Sequence, residues 1–317
     1  MPFTAKSGKF NASINTVEFG TGDKAVKIGG ENVFPLYSFD AAIENAPKVG
    51  IEITDFGMEH EPECIKKYYE GCATLADMAR KAASMEGVDF LSFRMEGGDP
   101  NGANKSTEEL IGELKEIADA VDLPLVVCGC KNVEKDAELF SKAAEALNGK
   151  NAVILSAKEE NYKTVGAAAG LAYKQIVGAE SAVDINLAKQ LNVLISQLGV
   201  DSKSVVMNVG SAAVGYGFEY VISTMDRVKA AALQQGDANL QMPIITPVAS
   251  EAWGVKEAMA SETDAPEWGS QEERGIDMEV ETAMAVIAAG SNAVILKHPE
   301  SIKIISGLMK ELVLELR

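Results

Sequence analysis

A strand followed by a helix recurs eight times along this 317-residue chain, and that alternation narrows the possible folds more than any other feature. The clearest copy spans residues 88–130. Residues 88–95 read as a buried strand, with Leu91, Phe93 and Met95 on one face and Phe90, Ser92 and Arg94 on the other. Glu96-Gly-Gly-Asp-Pro-Asn-Gly102 leaves it as a loop, and Ser106-Thr-Glu-Glu109 supplies a capping box. Leu110, Ile111, Leu114, Ile117, Ala118 and Val121 then form the apolar stripe of a helix, and residues 124–130 return as a strand. Such a unit predicts two parallel strands joined by a right-handed crossover.

Strands are expected to start near Val49, Asp89, Leu125, Ala152, Gln175, Ser204, Met242 and Asn292. The helical patterns between and after them cover 62–85, 106–121, 134–147, 161–173, 182–198, 217–235, 277–289 and 300–315. Eight such pairs predict an α/β chain folded as a (β/α)8 TIM barrel over residues 49–317. Residues 13–30 alternate around Gly20-Thr-Gly-Asp23 as a β-hairpin. Residues 1–48 are thus expected to hold this hairpin, as a plug or flap, and a lead-in segment. A doubly wound open sheet is the alternative; it needs fewer strands and usually carries a Gly-rich nucleotide turn, which is missing here. Gly210-Ser-Ala-Ala-Val-Gly215 has the glycine spacing of a phosphate loop but lacks its Lys, and Gly215-Tyr-Gly217 lacks a third glycine.

The long connection after strand seven, residues 251–275, holds both tryptophans, Trp253 and Trp268, and seven acidic residues. Connections of this length inside a domain are functional or disordered, and two Trp need something to pack on. A lid or partner-docking element and a self-packed Ω-loop are both open readings.

A net charge of −18 argues against nucleic acid, whose phosphates demand Lys/Arg patches. No run approaches the roughly 20 apolar residues that span a bilayer. The first nine residues lack the apolar stretch of a signal peptide, so a cytoplasmic location with no membrane association is expected. Cys64, Cys72, Cys128 and Cys130 have no metal-ligand spacing and read as small buried residues. His60 and His298 lie in no metal or nucleophile motif and read as structural.

Strand parity carries more information. If the more apolar face packs on helices, the barrel interior holds Phe90, Ser92 and Arg94; Ile154, Ser156 and Lys158; Val206 and Asn208; Ile295 and Lys297, with Glu52 and Thr54. Charges there either form an internal ion-pair layer or face a ligand at the open rim, since isolated burial costs many kcal/mol. Lys158 or Lys297 as a Schiff-base lysine is the enzymatic form of that idea, without a partner acid at fixed spacing.

Taken as a set, the segments resemble the small subunit of the corrinoid/iron–sulfur protein of the anaerobic acetyl-CoA pathway. The archaeal counterpart is the delta subunit of the acetyl-CoA decarbonylase/synthase complex. The matching pieces include Gly29-Gly30-Glu31 with Phe34-Pro35, Gly50-Ile-Glu-Ile-Thr-Asp55, and Asp89-Phe-Leu-Ser-Phe-Arg94 with Gly98-Asp99-Pro100-Asn101. Val206-Met-Asn-Val-Gly210, Glu251-Ala-Trp253, Glu273-Arg274-Gly275 and Ala293-Val-Ile-Leu-Lys-His-Pro299 follow in order.

The resemblance implies a TIM barrel that covers a corrinoid (cobamide) shared with a large corrinoid/iron–sulfur subunit, which carries the cluster. Cobalt would take a methyl group from methyltetrahydrofolate through a separate methyltransferase and pass it to acetyl-CoA synthase. It further implies no iron–sulfur cluster in this chain, and a non-catalytic or co-catalytic role. A pterin-dependent methyltransferase of the same barrel fold is the rival function. The polar groups expected to meet the corrin are Gly97, Gly98, Asp99, Asn101, Ser181, Asn208, Ser211, Ser250 and Glu251. Gly97-Gly98 would let backbone approach the ring closely.

Overall fold

A computed structural model describes residues 8–314. The leader reading of the first nine residues, and the last residue of the expected final helix, therefore fall wholly or mostly outside the described residues.

The hairpin consists of β1 (Val17–Phe19) and β2 (Val26–Ile28), antiparallel, with Val17 opposite Ile28. Eight strands follow: β3 (Lys48–Thr54), β4 (Phe90–Arg94), β5 (Leu125–Cys128), β6 (Val153–Ala157), β7 (Ile176–Glu180), β8 (Val205–Asn208), β9 (Ile245–Pro247) and β10 (Ala293–Leu296). They lie parallel in the order β8-β7-β6-β5-β4-β3-β10-β9. A parallel bridge from Met207 to Ile244, with Met207 N donating to Pro243 O at 2.8 Å, joins β8 to β9 and closes the ring. The expected eight-stranded barrel is present.

The sheet is lined on its outside by Leu91, Phe93, Val127, Ile154, Met207 and Leu296, packed under the helices. Its lower interior is a separate apolar layer in which Phe90, Val126, Val153, Val206 and Ile295 meet Val17, Phe19, Val26 and Ile28 of the hairpin. Phe19 and Phe90 meet edge-on at 5.5 Å. The hairpin is thus the plug of the barrel's N-terminal end, and the C-terminal mouth is open. Alternation explains this: a three-residue strand with two buried residues and one exposed offers one apolar face and nothing else to bury it on.

Ile154 departs from the expected parity. It faces the helices, while Val153 and Leu155 point inward. The β6–β7 register shifts between Ile154 and Ala157, so Leu155 and Ser156 both reach the interior.

The helices begin where side-chain caps dictate. Ser106 Oγ accepts from Glu109 N at 3.1 Å, one bond of the expected capping box, and opens Thr107–Ala120. Residues 62–85 are two pieces rather than one helix. Glu63–Lys66 runs into a 3-10 turn, Gly71 takes φ +84°, and Thr74 with Asp77 forms a capping box that starts Leu75–Ala83. The helix expected from 277 begins earlier, at Gln271, capped by Ser270.

Of residues 251–275, the part between the short helix Ala249–Ala252 and the helix from Gln271 is a self-packed loop that contains a second short helix, Lys256–Met259. The Arg274 guanidinium holds it together: Nε donates to Glu257 O at 2.8 Å, Nη1 to Gly269 O at 2.7 Å, and Nη2 to Ala260 O. Trp253 is buried and lies on Gly275, where a Cβ would come within 2.2–2.9 Å of three indole ring atoms. Gly275→Ala is therefore expected to lower stability by about 1–3 kcal/mol through forced repacking of the indole. Urea unfolding and Trp fluorescence check this; an unchanged midpoint would show that the indole moves freely.

Candidate functional site

The open mouth leads into a cavity of about 300 Å³ inside the C-terminal half of the barrel. Its floor and walls come from five consecutive strands: Arg94 ends β4, Cys128 ends β5, Leu155 and Ser156 lie on β6, Glu180 ends β7 and Asn208 ends β8. Pro247 of β9, the loop residues Lys131, Lys158 and Ser211, and Glu251 of the short helix Ala249–Ala252 also line it. Parallel strands bring their C-terminal ends to one side, so residues far apart in sequence converge there.

The charges inside are paired. Arg94, 6% exposed, donates from Nε to Glu52 Oε2 at 2.9 Å, and its Nη2 is 2.8 Å from the same oxygen. Burial works against the guanidinium's charge, but Glu52 outweighs it and holds the pKa above the ordinary arginine value. Lys158 Nζ lies 3.3 Å from Glu180 Oε1, and Lys297 Nζ lies 2.6 Å from Glu61 Oε1. The internal ion-pair layer weighed from sequence is real at Arg94–Glu52, while Lys158–Glu180 belongs to the cavity wall. Burial pushes the Cys128 thiol up to about 11, so it is a neutral packing group at the cavity floor.

One pair spans the opening. Lys131 follows β5 and Glu251 follows β9, four places apart in an eight-strand ring, and their Nζ and Oε1 are 3.1 Å apart. This exposed pair is a strut across the mouth.

Four of the nine residues expected to meet a ligand line the cavity: Asn208, Ser211, Ser250 and Glu251. Asn208 makes one bond through each amide atom, its Nδ2 donating to Ser156 Oγ at 3.0 Å and its Oδ1 accepting from Gly210 N at 3.1 Å, with capacity left on both. It shapes the turn after β8. Ser181 is buried beside the wall, its Oγ without a hydrogen-bond partner, as is Ser211 Oγ. Asp99 and Asn101 form a turn on the rim, Asn101 N donating to Asp99 Oδ1 at 3.0 Å, and do not line the cavity. Gly97 and Gly98 are buried against the protein's own side chains. Gly97 N donates to Asp55 Oδ1 at 2.9 Å, and a Cβ there would sit 2.2 Å from Asp55 Oδ2. Their small size serves that packing. Sequence reasoning missed Glu180, Lys131 and Leu155 as cavity residues: one is a strand-end acid, one a loop cation, and the third points inward with Val153, opposite to the parity expected for β6.

Among the described residues no group of three or more His, Cys, Asp or Glu is arranged to hold a metal ion, and no helix is long and apolar enough to cross a membrane.

Fold and site define a parallel eight-strand barrel, plugged below, with a polar ligand-sized cavity at its C-terminal mouth. Solved structures share this architecture. Dihydropteroate synthase from Thermus thermophilus, in complex with 4-aminobenzoate, superposes with a TM-score of 0.55 at 13% identity, covering 93% of this chain and 99% of that one. The enzyme from Xanthomonas albilineans, in complex with 7,8-dihydropteroate, gives 0.54 at 12% identity, covering 84% and 94%. At such identities the likeness is one of fold.

Sequence comparison goes further. Residues 16–311 match the family model of the CO dehydrogenase/acetyl-CoA synthase delta subunit, and the chain belongs to that family. It is 29% identical over 300 residues to the acetyl-CoA decarbonylase/synthase complex subunit delta 1 of Methanosarcina thermophila, covering 92% of this chain and 67% of that protein. It is 31% identical over 299 residues to the delta subunit of Methanothermobacter thermautotrophicus, covering 93% and 75%.

Proposed function

We propose that this chain is the barrel half of a corrinoid methyl-carrier protein, with the C-terminal mouth covering a cobamide held jointly with a larger cluster-bearing subunit. The observation that supports this most is the polar, single-ended mouth in a member of the delta-subunit family. A corrin is rimmed by carboxamides, which need donors and acceptors from whatever covers them. The buried, unpartnered hydroxyls of Ser181 and Ser211 and the half-buried Ser250 and Glu251 fit that need. The macrocycle with its side arms is larger than a 300 Å³ cavity, so it would lie across the mouth rather than enter. Bound cobalt would supply the methyl-accepting centre. The chain's own part would be to hold the ring's edge and to exclude water, with Val183 and Pro247 as apolar elements of the mouth. Methyltetrahydrofolate methyltransferase and acetyl-CoA synthase are the partners this role requires.

Co-purification tests the reading. The chain is expected to bring down a larger partner, with cobalt in the complex. Ser211→Val and Asn208→Ala are expected to lower retained cobalt several-fold, with the far-UV circular dichroism unchanged. Full cobalt content in both variants would refute the placement. Methyl transfer from methyltetrahydrofolate to free cobalamin by this chain alone would establish the rival methyltransferase function instead.

A further inference from the structure

Three ion pairs stand at the mouth, and they differ in what they join. Arg94 ends β4 and pairs with Glu52 of the neighbouring β3; Lys158 follows β6 and pairs with Glu180 of the neighbouring β7. Pairs of this kind neutralise charge that adjacent strands carry into the barrel. Of the three, only Lys131–Glu251 crosses the ring, from the end of β5 to the end of β9. Its side chains are 64% and 34% exposed, so water could satisfy both and burial does not impose the pairing.

Both ends stand on fixed backbone. Lys131 takes φ +70° between Cys130, whose N donates to Asp136 Oδ1 at 2.7 Å, and Asn132, whose side chain caps the helix Val133–Ala146. A left-handed non-glycine residue persists where its surroundings impose it, so this turn sets the direction in which the lysine leaves the chain. Glu251 lies in the short helix Ala249–Ala252, its N donating to Val248 O at 3.1 Å, and that helix runs into the buried Trp253. With both backbones held, the pair parts by side-chain rotation alone, a picosecond-to-nanosecond motion at exposed residues. The hairpin plugs the other end of the barrel, so the route from the mouth to the cavity floor passes this pair.

We propose that Lys131 and Glu251 form a clasp that closes the mouth in the free chain and regulates entry to the cavity. An exposed pair is worth little, so the clasp biases the mouth toward closure without sealing it, and an entering ligand parts it at small cost. What enters rests on the corrinoid reading. On that reading, opening presents a donor and an acceptor to ring carboxamides at opposite edges of the mouth, and Lys131 joins the groups that hold the ring.

Cys128 reports on the clasp. Its thiol lies at the cavity floor and is 2% exposed, whereas Cys64 and Cys72 are half-buried and do not line the cavity. The full chain, without any corrinoid, is treated with methyl methanethiosulfonate, a small neutral thiol reagent. Peptide mass spectrometry gives the rate at each cysteine, and the Cys128 rate is taken relative to those of Cys64 and Cys72. Cys128 is expected to react about two- to fivefold faster in Glu251→Lys and in Lys131→Glu, the range that loss of an exposed ion pair allows. The two exchanges shift local charge in opposite directions, so a purely electrostatic effect on the thiol would move the rates apart, while an opened clasp speeds both. The double variant, Lys131→Glu with Glu251→Lys, restores the pair with its charges reversed and is expected to return Cys128 close to the parent rate. No corrinoid takes part, so this result stands apart from cobalt retention in the assembled complex, which tests the corrinoid reading. Unchanged rates in the single variants, opposite changes in the two, or a double variant as fast as the singles overturns the clasp.

Discussion

Glu31→Ala is expected to lower the unfolding free energy by about 3–5 kcal/mol, the largest loss anticipated for a single exchange in this chain. Glu31 belongs to the lead-in segment, and its Oε1 accepts from Lys229 Nζ at 2.9 Å and from Asn292 Nδ2 at 2.8 Å. Lys229 is 1% exposed, and its Nζ also donates to Asn292 Oδ1 at 2.9 Å. Burial opposes the Glu31 charge, but Lys229 and Asn292 outweigh it and keep the carboxyl below its ordinary value. Removing the acid leaves an ammonium buried with no counter-ion, which is the expensive outcome. The double exchange Glu31→Leu with Lys229→Met should recover at least half of the loss, because it removes both charges together. Chemical denaturation of the three proteins decides the matter. A double variant no better than Glu31→Ala would show that hydrogen bonding to Asn292, rather than charge, carries the effect.

His298→Phe is expected to change how stability responds to acid. His298 is buried, stacked on Trp253 at 5.8 Å and edge-on to Tyr68 at 5.2 Å. Its Nδ1 accepts from Glu300 N at 3.2 Å, which places the proton of the neutral ring on Nε2, 3.4 Å from Glu272 Oε1. Burial, the leading cause, lowers its pKa to about 4; Glu272 and Glu300 pull the other way, and Lys67 adds to the lowering. The folded state then binds fewer protons than the unfolded one between pH about 4 and about 6.5, so stability from this group is lost as pH falls through that window. The loss is at most about 3 kcal/mol.

Glu279 acts with opposite sign. Fully buried, its carboxylate accepts from Lys297 N at 2.6 Å and His298 N at 3.1 Å, yet burial dominates and raises its pKa to about 6. Its contribution is present at low pH and lost as pH rises through about 6. In His298→Phe only the Glu279 term remains at this locus. The variant should therefore lose up to about 3 kcal/mol less than the parent on moving from pH 7 to pH 4. Parallel pH dependence of the two denaturation midpoints would mean that His298 titrates normally.

Much of the architecture was legible from residue order. Strand periodicity in 88–95, the cap at Ser106, and the apolar faces of the long helices are local signals, and each depends on residues within a turn or two. The hairpin was legible for the same reason, while the choice between plug and flap was decided by the packing of Val17, Phe19, Val26 and Ile28 inside the barrel. Less local features were not. Ile154 faces outward in step with Val127 and Val177, and Ser156 reaches the interior only past the β6–β7 register shift, a pairing no window of sequence contains. The helix starting at Gln271 runs through Gly275 because Trp253, distant in sequence, fills the space a side chain would need. Gly97-Gly98 reads in sequence as an approach for a ligand, and only the fold shows Asp55 packed against Gly97.

By itself, the order of residues determined the eight strand–helix pairs, the hairpin, the family, and the fact that polar groups gather at strand C-termini. Hydrophobic periodicity and capping are short-range, so they survive reading in one dimension. Only the tertiary structure decided which of those polar groups share a space. Closing the ring between β8 and β9 set Lys131 against Glu251 across the mouth, placed Glu180 on the same cavity as Arg94, and left Asp99 and Asn101 outside on the rim. Barrel closure is a long-range constraint: it fixes distances between strand ends that no pattern along a single strand encodes.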